Sequence, residues 1–376
     1  TNHVWKSRMT LETTFRLYSG LPSWFNLLGH FGQWTPEEGN LQKKYLDEIG
    51  SLHINAFDAW IVDPPIVHDS SGNPHLDLES YPSPSDSFIS VYASHIQSGM
   101  ISMPNPFNNP NISSPSEYLI AIENSLQQYG WQNGRAYIYL WDEPAEANYP
   151  EIIERAKLVR RYAPSLKILV TTHFVPELEP YVDIWTVVIN QMDNPSYPSP
   201  EIYLEQQAKG KQVWLYVSCM SHGCTNEFDA GTPDFVIDRQ SSYIRSLGLM
   251  AYLYHADALL YWRMNNMHAN YPARDAWNEQ WNFTGNGDGT LLYPGRPGVH
   301  GLESHQPILS LRAKAIEEAL NDVWYYRQMD KLPNKPAWWS TAIHELVRSP
   351  TSWDKDYSKY QDLLERVGNY LNENAP

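Results

Sequence analysis

Short apolar runs alternate with longer stretches whose apolar residues recur every three or four positions, and the alternation can be followed along most of the chain. A short run of this kind fits a strand buried in a parallel sheet, and a longer stretch fits an amphipathic helix laid against it. Strands are predicted at 24–28, 53–60, 99–104, 135–141, 167–172, 184–190, 212–218 and 259–265. Helices are predicted at 36–49, 115–129, 149–162, 200–209 and 235–254, several of them opening on a proline that suits the first helical turn. Eight strands with helices between them predict an α/β fold of the (β/α)₈ barrel type. An open doubly wound sheet is disfavoured, because neither glycine-rich phosphate loop of the nucleotide-binding folds is found.

Residues 1–306 are read as this barrel with its irregular start and loop insertions. The polar insertions at 63–94 and 267–306 follow predicted strands two and eight, where barrel enzymes build substrate-specific loops. Beyond Pro307 an amphipathic stretch at 308–330 and another near 357–371 predict C-terminal helices, so that 307–376 packs on the barrel within the same domain.

Charge narrows the partners. With 43 acidic against 27 basic side chains the net charge is -16, which repels a phosphate backbone, so nucleic acid is not expected as a partner. No run approaches the roughly 18 apolar residues that span a bilayer, and residues 1–10 lack the apolar core of a secretory signal. A soluble and already processed chain is expected, with a secreted or periplasmic location left open. Aromatic residues make up 13% of the chain, which suits stacking on the apolar faces of sugars, although core packing uses the same residues. The two cysteines, Cys219 and Cys224, either bridge one loop or stay free. A metal site from them and His222 lacks a second pair of ligands, so no metal or cofactor is expected.

The chemistry concentrates at Arg135-Ala-Tyr-Ile-Tyr-Leu-Trp-Asp-Glu-Pro144, a β-prone run that stops at two carboxylates and a proline. In a barrel this strand end faces the mouth. Adjacent strand residues point to opposite faces, so a local kink is required to aim Asp142 and Glu143 at one ligand. Desolvation by Trp141 and other aromatics is expected to leave one acid as a proton donor beside an anion, as glycosidic cleavage requires. A retaining glycosidase ordinarily adds a carboxylate nucleophile about 5 Å away. None stands at the tips of predicted strands six and seven, where the next acids are Asp193 and Glu227. A substrate's own 2-acetamido carbonyl can act instead, with Asp142 orienting the amide and Glu143 protonating the leaving oxygen.

These residues carry a resemblance. Tyr139-Leu-Trp-Asp-Glu-Pro144, Lys211-Gln-Val-Trp-Leu-Tyr-Val-Ser-Cys219, Leu260-Tyr-Trp262, Gly287-Asp-Gly-Thr-Leu-Leu-Tyr-Pro-Gly295 and Pro307-Ile-Leu-Ser-Leu-Arg312, in this order and spacing, resemble the catalytic domain of glycoside hydrolase family 123. The resemblance implies a (β/α)₈ barrel, a retaining β-N-acetylgalactosaminidase activity through an oxazolinium-type intermediate, Asp142 as its stabiliser and Glu143 as general acid/base. It also implies an oligosaccharide or polysaccharide as the partner. Related enzymes carry a β-sandwich module before the barrel, whereas this chain begins almost at its first predicted strand. After Trp262, Arg263-Met-Asn-Asn-Met-His268 departs from the family pattern, and Arg263 would meet either an acidic sugar or a neighbouring carboxylate.

Substrate-binding candidates are Trp141, Asn190, Tyr216, His222, Trp262, Asp288 and Tyr293. Tyr216 and Trp262 are read as pocket walls, and Asn190 with Gln191 as partners for sugar hydroxyls or as turn residues. Asp288 and Tyr293 belong to a glycine-rich loop that either approaches a ligand or is simply capped by Asp288. Asn55, Asp58 and His173 also face the predicted mouth. Two alternatives stay open: a glycosidase of the same fold acting on another glycan, within the chain as an endo enzyme, and a carbohydrate-binding barrel without turnover.

Overall fold

Eight strands form one parallel sheet: β1 (Ser23–Asn26), β2 (Asn55–Phe57), β3 (Ile101–Met103), β4 (Ala136–Asp142), β5 (Lys167–Thr171), β6 (Ile184–Val188), β7 (Gln212–Val217) and β8 (Ala258–Tyr261). They appear in a computed structural model that describes residues 23–26, 36–57, 63–81, 87–93, 100–224, 231–267 and 274–374. All eight overlap the strands predicted from the apolar runs. Their order across the sheet is β2-β1-β8-β7-β6-β5-β4-β3, every neighbouring pair parallel. Strands consecutive in sequence thus lie side by side and β1 also pairs with β8, while among the described residues β2 and β3 are the two ends of the sheet.

The sheet is curled. Tyr137 on β4 and Trp214 on β7 meet edge to face with ring centroids 5.3 Å apart. Gln212 at the foot of β7 reaches the sulfur of Met100, just before β3, at 3.7 Å. On a flat sheet four strand spacings would hold those two apart by roughly 19 Å. Alternation along each strand assigns the two faces. Tyr137, Leu169, Ile184, Trp214, Tyr216 and Leu260 share the concave interior. Ile138, Ile168, Trp185, Leu215 and Leu259 point outward into the larger core beneath the helices. Both faces are thus apolar, the outer one covered by helices and the inner one filled by the strands' own side chains, as a parallel sheet buried on both sides requires.

The helices are α1 (Pro36–Ser51), α2 (Pro115–Gln128), α3 (Tyr149–Tyr162), α4 (Pro200–Ala208), α5 (Ser241–Leu253), α6 (Leu311–Lys331), α7 (Trp338–Leu346) and α8 (Tyr357–Asn374). Ser114 caps α2 by accepting from the Glu117 N–H at 3.4 Å, and Ser310 caps α6 by accepting from the Ala313 N–H at 3.2 Å. Two predicted helices start later than their apolar pattern suggested. Residues 235–240 are drawn away because Phe235 packs its ring on Tyr261, centroids 4.8 Å apart, and the Ile237 N–H bonds the Asn286 carbonyl at 2.8 Å. Ile308 and Leu309 pair instead with Tyr293 and Leu292 in an antiparallel ribbon of Leu292–Gly295 with Gln306–Leu309. Tertiary pairing overrode local periodicity in both places.

Helices α5 and α6 lie so close that a Cβ on Gly248 would sit 2.6 Å from the Ala319 carbonyl oxygen. Across this contact Arg245 pairs with Asp322, both side chains about 2–3% exposed, and also reaches Glu318 at 3.3 Å. Arg245→Met leaves Asp322 buried without its cation and is expected to cost about 3–5 kcal/mol in urea unfolding. The double variant with Asp322→Leu should recover most of that loss. Equal losses for single and double variants would show that the pair does not carry the contact.

Candidate active site

The two neighbouring acids at the end of β4 reach one mouth through two backbone irregularities. Pairing with β5 sets Tyr139 opposite Leu169 and Trp141 opposite Val170, leaving Leu140 as an extra residue. This bulge shifts the alternation by one, so Asp142 comes onto the interior face of Tyr139, whose hydroxyl donates to Asp142 Oδ1 at 2.6 Å. Glu143 then adopts a left-handed backbone with φ of 43°, a conformation costing on the order of 1 kcal/mol for a side chain of this size. Thr171, at the tip of β5, holds the kink: its hydroxyl accepts from the Glu143 N–H at 2.8 Å and donates to Asp142 Oδ1 at 2.9 Å. The local kink expected from the sequence is therefore present, built from a bulge and one left-handed residue.

Each carboxylate has its own pair of hydroxyl donors. Asp142 is held by Tyr139 and Thr171. Glu143 Oε1 accepts from Tyr216 on β7 and from Ser221, both at 2.5 Å. The Tyr216 bond crosses the concave interior, joining strands three apart. Burial, reinforced by the charge of Asp142, holds the Tyr139 phenol well above its ordinary range, and burial with the charge of Glu143 does the same for Tyr216. Both phenols therefore keep their protons and remain donors at any physiological pH. The carboxylates themselves are exposed. The desolvation expected of Trp141 does not arise in the free protein: its ring is half-buried at the rim beneath the Arg155 guanidinium, 4.6 Å away, and Arg155 in turn bonds Asn108.

The β8 side of the mouth is organised by Asp288, which is 1% exposed. Its Oδ1 accepts from Tyr261 at 2.9 Å, and its Oδ2 from the Trp262 indole at 3.1 Å and the Cys219 N–H at 3.2 Å. Asp288 thus ties β8 to the single helical turn Cys219–His222 that carries Ser221, and the disulfide Cys219–Cys224 closes the same loop. Burial pushes the Asp288 carboxyl up to about 6, against the opposing hydrogen bonds and the nearby Arg312 charge. A carboxyl raised on folding contributes stability that is complete below about pH 4 and is lost as pH rises through 6, here roughly 2–3 kcal/mol. Urea unfolding at pH 4 and pH 7 should accordingly show the stability of wild type relative to Asp288→Asn falling by that amount. A pH-independent difference would contradict this assignment.

The remaining candidates are dispersed. Trp262 is half-buried against Phe283, centroids 5.4 Å apart, at the rim next to β8. Asn190 and Gln191 end a 3₁₀ turn after β6, each with a buried side-chain oxygen that accepts no hydrogen bond among the described residues. His222 is buried, its Nδ1 2.9 Å from the Gly223 carbonyl and 3.3 Å from the Thr232 hydroxyl. Tyr293 packs on Trp277, bonds Gln280 and accepts from Arg312 at 2.9 Å, a structural setting within the inserted ribbon. Arg263 lies over Trp262 at 5.7 Å. His173 packs edge to face on Tyr197 and Asn55 is buried, while Asp58, Glu227 and His268 lie outside the described residues. Reading the sequence alone did not single out Tyr139, Thr171 and Ser221. Tyr139 could have been found only by allowing for the bulge, and Ser221 has no signal beyond its place between two cysteines.

Among the described residues no three His, Cys, Asp or Glu side chains converge as a metal site, and no helix is long and apolar enough to cross a membrane. Residues 87–329 match the family model described as glycoside hydrolase 123, catalytic domain. The fold is similar to that of a family 123 glycoside hydrolase from Clostridium perfringens, described in a study of glycolipid glycan hydrolysis. That match has a TM-score of 0.60 at 14% identity and covers 94% of this chain and 69% of that one. A family 5 glycoside hydrolase from Bacteroides vulgatus is more distant, with a TM-score of 0.40 at 11% identity over 82% of this chain and 68% of that one. No curated protein matches the chain.

Proposed function

The chain belongs to glycoside hydrolase family 123 and is a glycosidase, and on that premise we propose that it hydrolyses β-linked N-acetylgalactosamine, or a related 2-acetamido sugar, with retention of configuration. One observation carries the reading: Asp142 and Glu143 are adjacent in sequence yet are turned to one mouth and held by separate donors, Tyr139 and Thr171 for one, Tyr216 and Ser221 for the other. Such separate anchoring suits two different roles.

In the proposed mechanism the substrate's acetamido oxygen attacks the anomeric carbon from within the same sugar. Asp142 accepts the amide N–H, aligns the carbonyl and offsets the positive charge of the oxazolinium ion that forms. Glu143 gives its proton to the glycosidic oxygen as that bond breaks, then takes a proton from the water that opens the ring. Tyr139 and Thr171 fix the Asp142 carboxylate, and the Tyr216 and Ser221 hydroxyls keep Glu143 aimed across the mouth. Since both acids are open to solvent without substrate, the bound sugar supplies the exclusion of water that Trp141 was expected to provide.

Closure of the curled sheet as a (β/α)₈ barrel, with 307–376 in the same domain, belongs to the same proposal, as does a pocket that uses Tyr216, Trp262 and the buried amide oxygens of Asn190 and Gln191. Release of p-nitrophenol from β-linked N-acetylgalactosaminide, N-acetylglucosaminide and plain galactoside tests the sugar. Hydrolysis confined to the acetamido sugars supports the proposal. Equal cleavage of the galactoside would mean that a protein nucleophile does the work.

A further inference from the structure

The turn that presents Phe283 is built against ordinary backbone preference. A two-residue connection, Phe283 and Thr284, joins Trp281–Asn282 to Gly285–Asn286, and Phe283 takes a φ of 50°. Glycine or asparagine is the usual occupant of such a position, and a bulky aromatic residue there is an outlier. The ring gains little burial in return: Phe283 is 43% exposed and touches Trp262 only edge to face, centroids 5.4 Å apart. Trp262 is fixed, with its indole N–H on Asp288 and its ring against Gly289, where a Cβ would lie 2.4 Å from it. Thr284 anchors the turn to the loop beside Glu143. Its hydroxyl donates to the Cys219 carbonyl at 3.0 Å and accepts from the Cys224 N–H at 2.9 Å, across the disulfide. That loop carries Ser221 on Glu143 and, beside it, Met220 with 57% of its surface exposed.

We infer that Phe283, packed on the edge of Trp262, and Met220 extend the proposed sugar pocket into a subsite for the sugar on the leaving-group side of the cleaved bond. The inference rests on the reading of Glu143 as proton donor to the glycosidic oxygen. The leaving group must then depart along the side of the mouth that Glu143 borders, and the elements joined to Glu143 on that side are the Ser221 loop and, through Thr284, the Phe283 turn. Exposed aromatic and thioether surface held rigidly there matches the apolar C–H face of a pyranose ring, whose hydroxyls stay in solvent at the rim. Rigid presentation also keeps the ordering cost of binding low, which gives the strained turn its purpose.

The test compares two substrates with the same sugar at the cleavage point. One is a disaccharide with N-acetylgalactosamine β-linked to galactose; the other is N-acetylgalactosaminyl β-fluoride, which has no leaving-group sugar. Phe283→Gly suits the left-handed backbone, so the fold should hold while the ring is removed. Its kcat/KM for the disaccharide should fall roughly three- to tenfold, chiefly through KM, while the fluoride changes less than twofold. Phe283→Tyr should restore the disaccharide rate. A loss shared equally by the two substrates, or no loss on the disaccharide, overturns the subsite. Wild-type protein inert on both substrates would instead overturn the proposed N-acetylgalactosaminidase activity, and the subsite with it.

Discussion

Glu143→Gln should lower kcat/KM by about 10²–10⁴-fold on a substrate whose leaving group is a sugar, and by far less on the 2,4-dinitrophenyl glycoside. The difference follows from what the group does. An alkoxide is too basic to leave unprotonated, so breaking its bond depends on a donor, whereas dinitrophenolate departs without one. Glutamine preserves the surroundings, because its amide oxygen can still accept from Tyr216 and Ser221. kcat/KM is the proper readout, since it reports the first irreversible step and is unaffected by the later attack of water. An equal loss on both leaving groups would show that Glu143 does not protonate the leaving oxygen.

Asp142→Asn should cost about 10²–10³ in kcat/KM, the range for one preorganised electrostatic group, and the loss should be similar for good and poor leaving groups. The charge stabilises the oxazolinium ion, which forms whatever departs. Asparagine keeps an oxygen for the Tyr139 and Thr171 hydroxyls but removes the charge and turns an amide N–H toward the substrate's own N–H. Because Asp142 is exposed, stability should change by no more than about 1 kcal/mol. Retention of most activity, or a loss confined to poor leaving groups, would contradict the role. The two variants together thus separate a proton donor from a charge stabiliser by the shape of the response as well as its size.

The parallel sheet was legible because both of its faces are buried: its strands read as short continuous apolar runs, and all eight were located from them. Helix starts were less legible where long-range pairing competes with local pattern. Phe235 carries helical periodicity but serves Tyr261, and Ile308 serves the ribbon with Tyr293. At the site, the acid pair stands out because a proline and two carboxylates end a β-prone run. The residues that hold the pair do not stand out. Tyr139 is three positions before Asp142 and would face away from it in a regular strand; only the extra residue Leu140 brings them together. Thr171 and Ser221 are ordinary hydroxyls in sequence, placed by the curl of the sheet and by a disulfide loop. Asp288 was a binding candidate on account of its glycines, yet burial makes it the post on which Trp262 and the Cys219 loop are hung.

Substrate assistance is the central claim, and the most direct measurement varies the assisting group itself. Aryl β-glycosides of galactosamine carrying acetyl, monofluoroacetyl, difluoroacetyl and trifluoroacetyl amides differ in the nucleophilicity of one oxygen while the sugar and leaving group stay the same. The account predicts that log kcat/KM falls steeply and steadily with each fluorine, because the amide oxygen forms the bond to the anomeric carbon in the rate-limiting step. A series that stays flat would contradict it and would place the nucleophile on the protein.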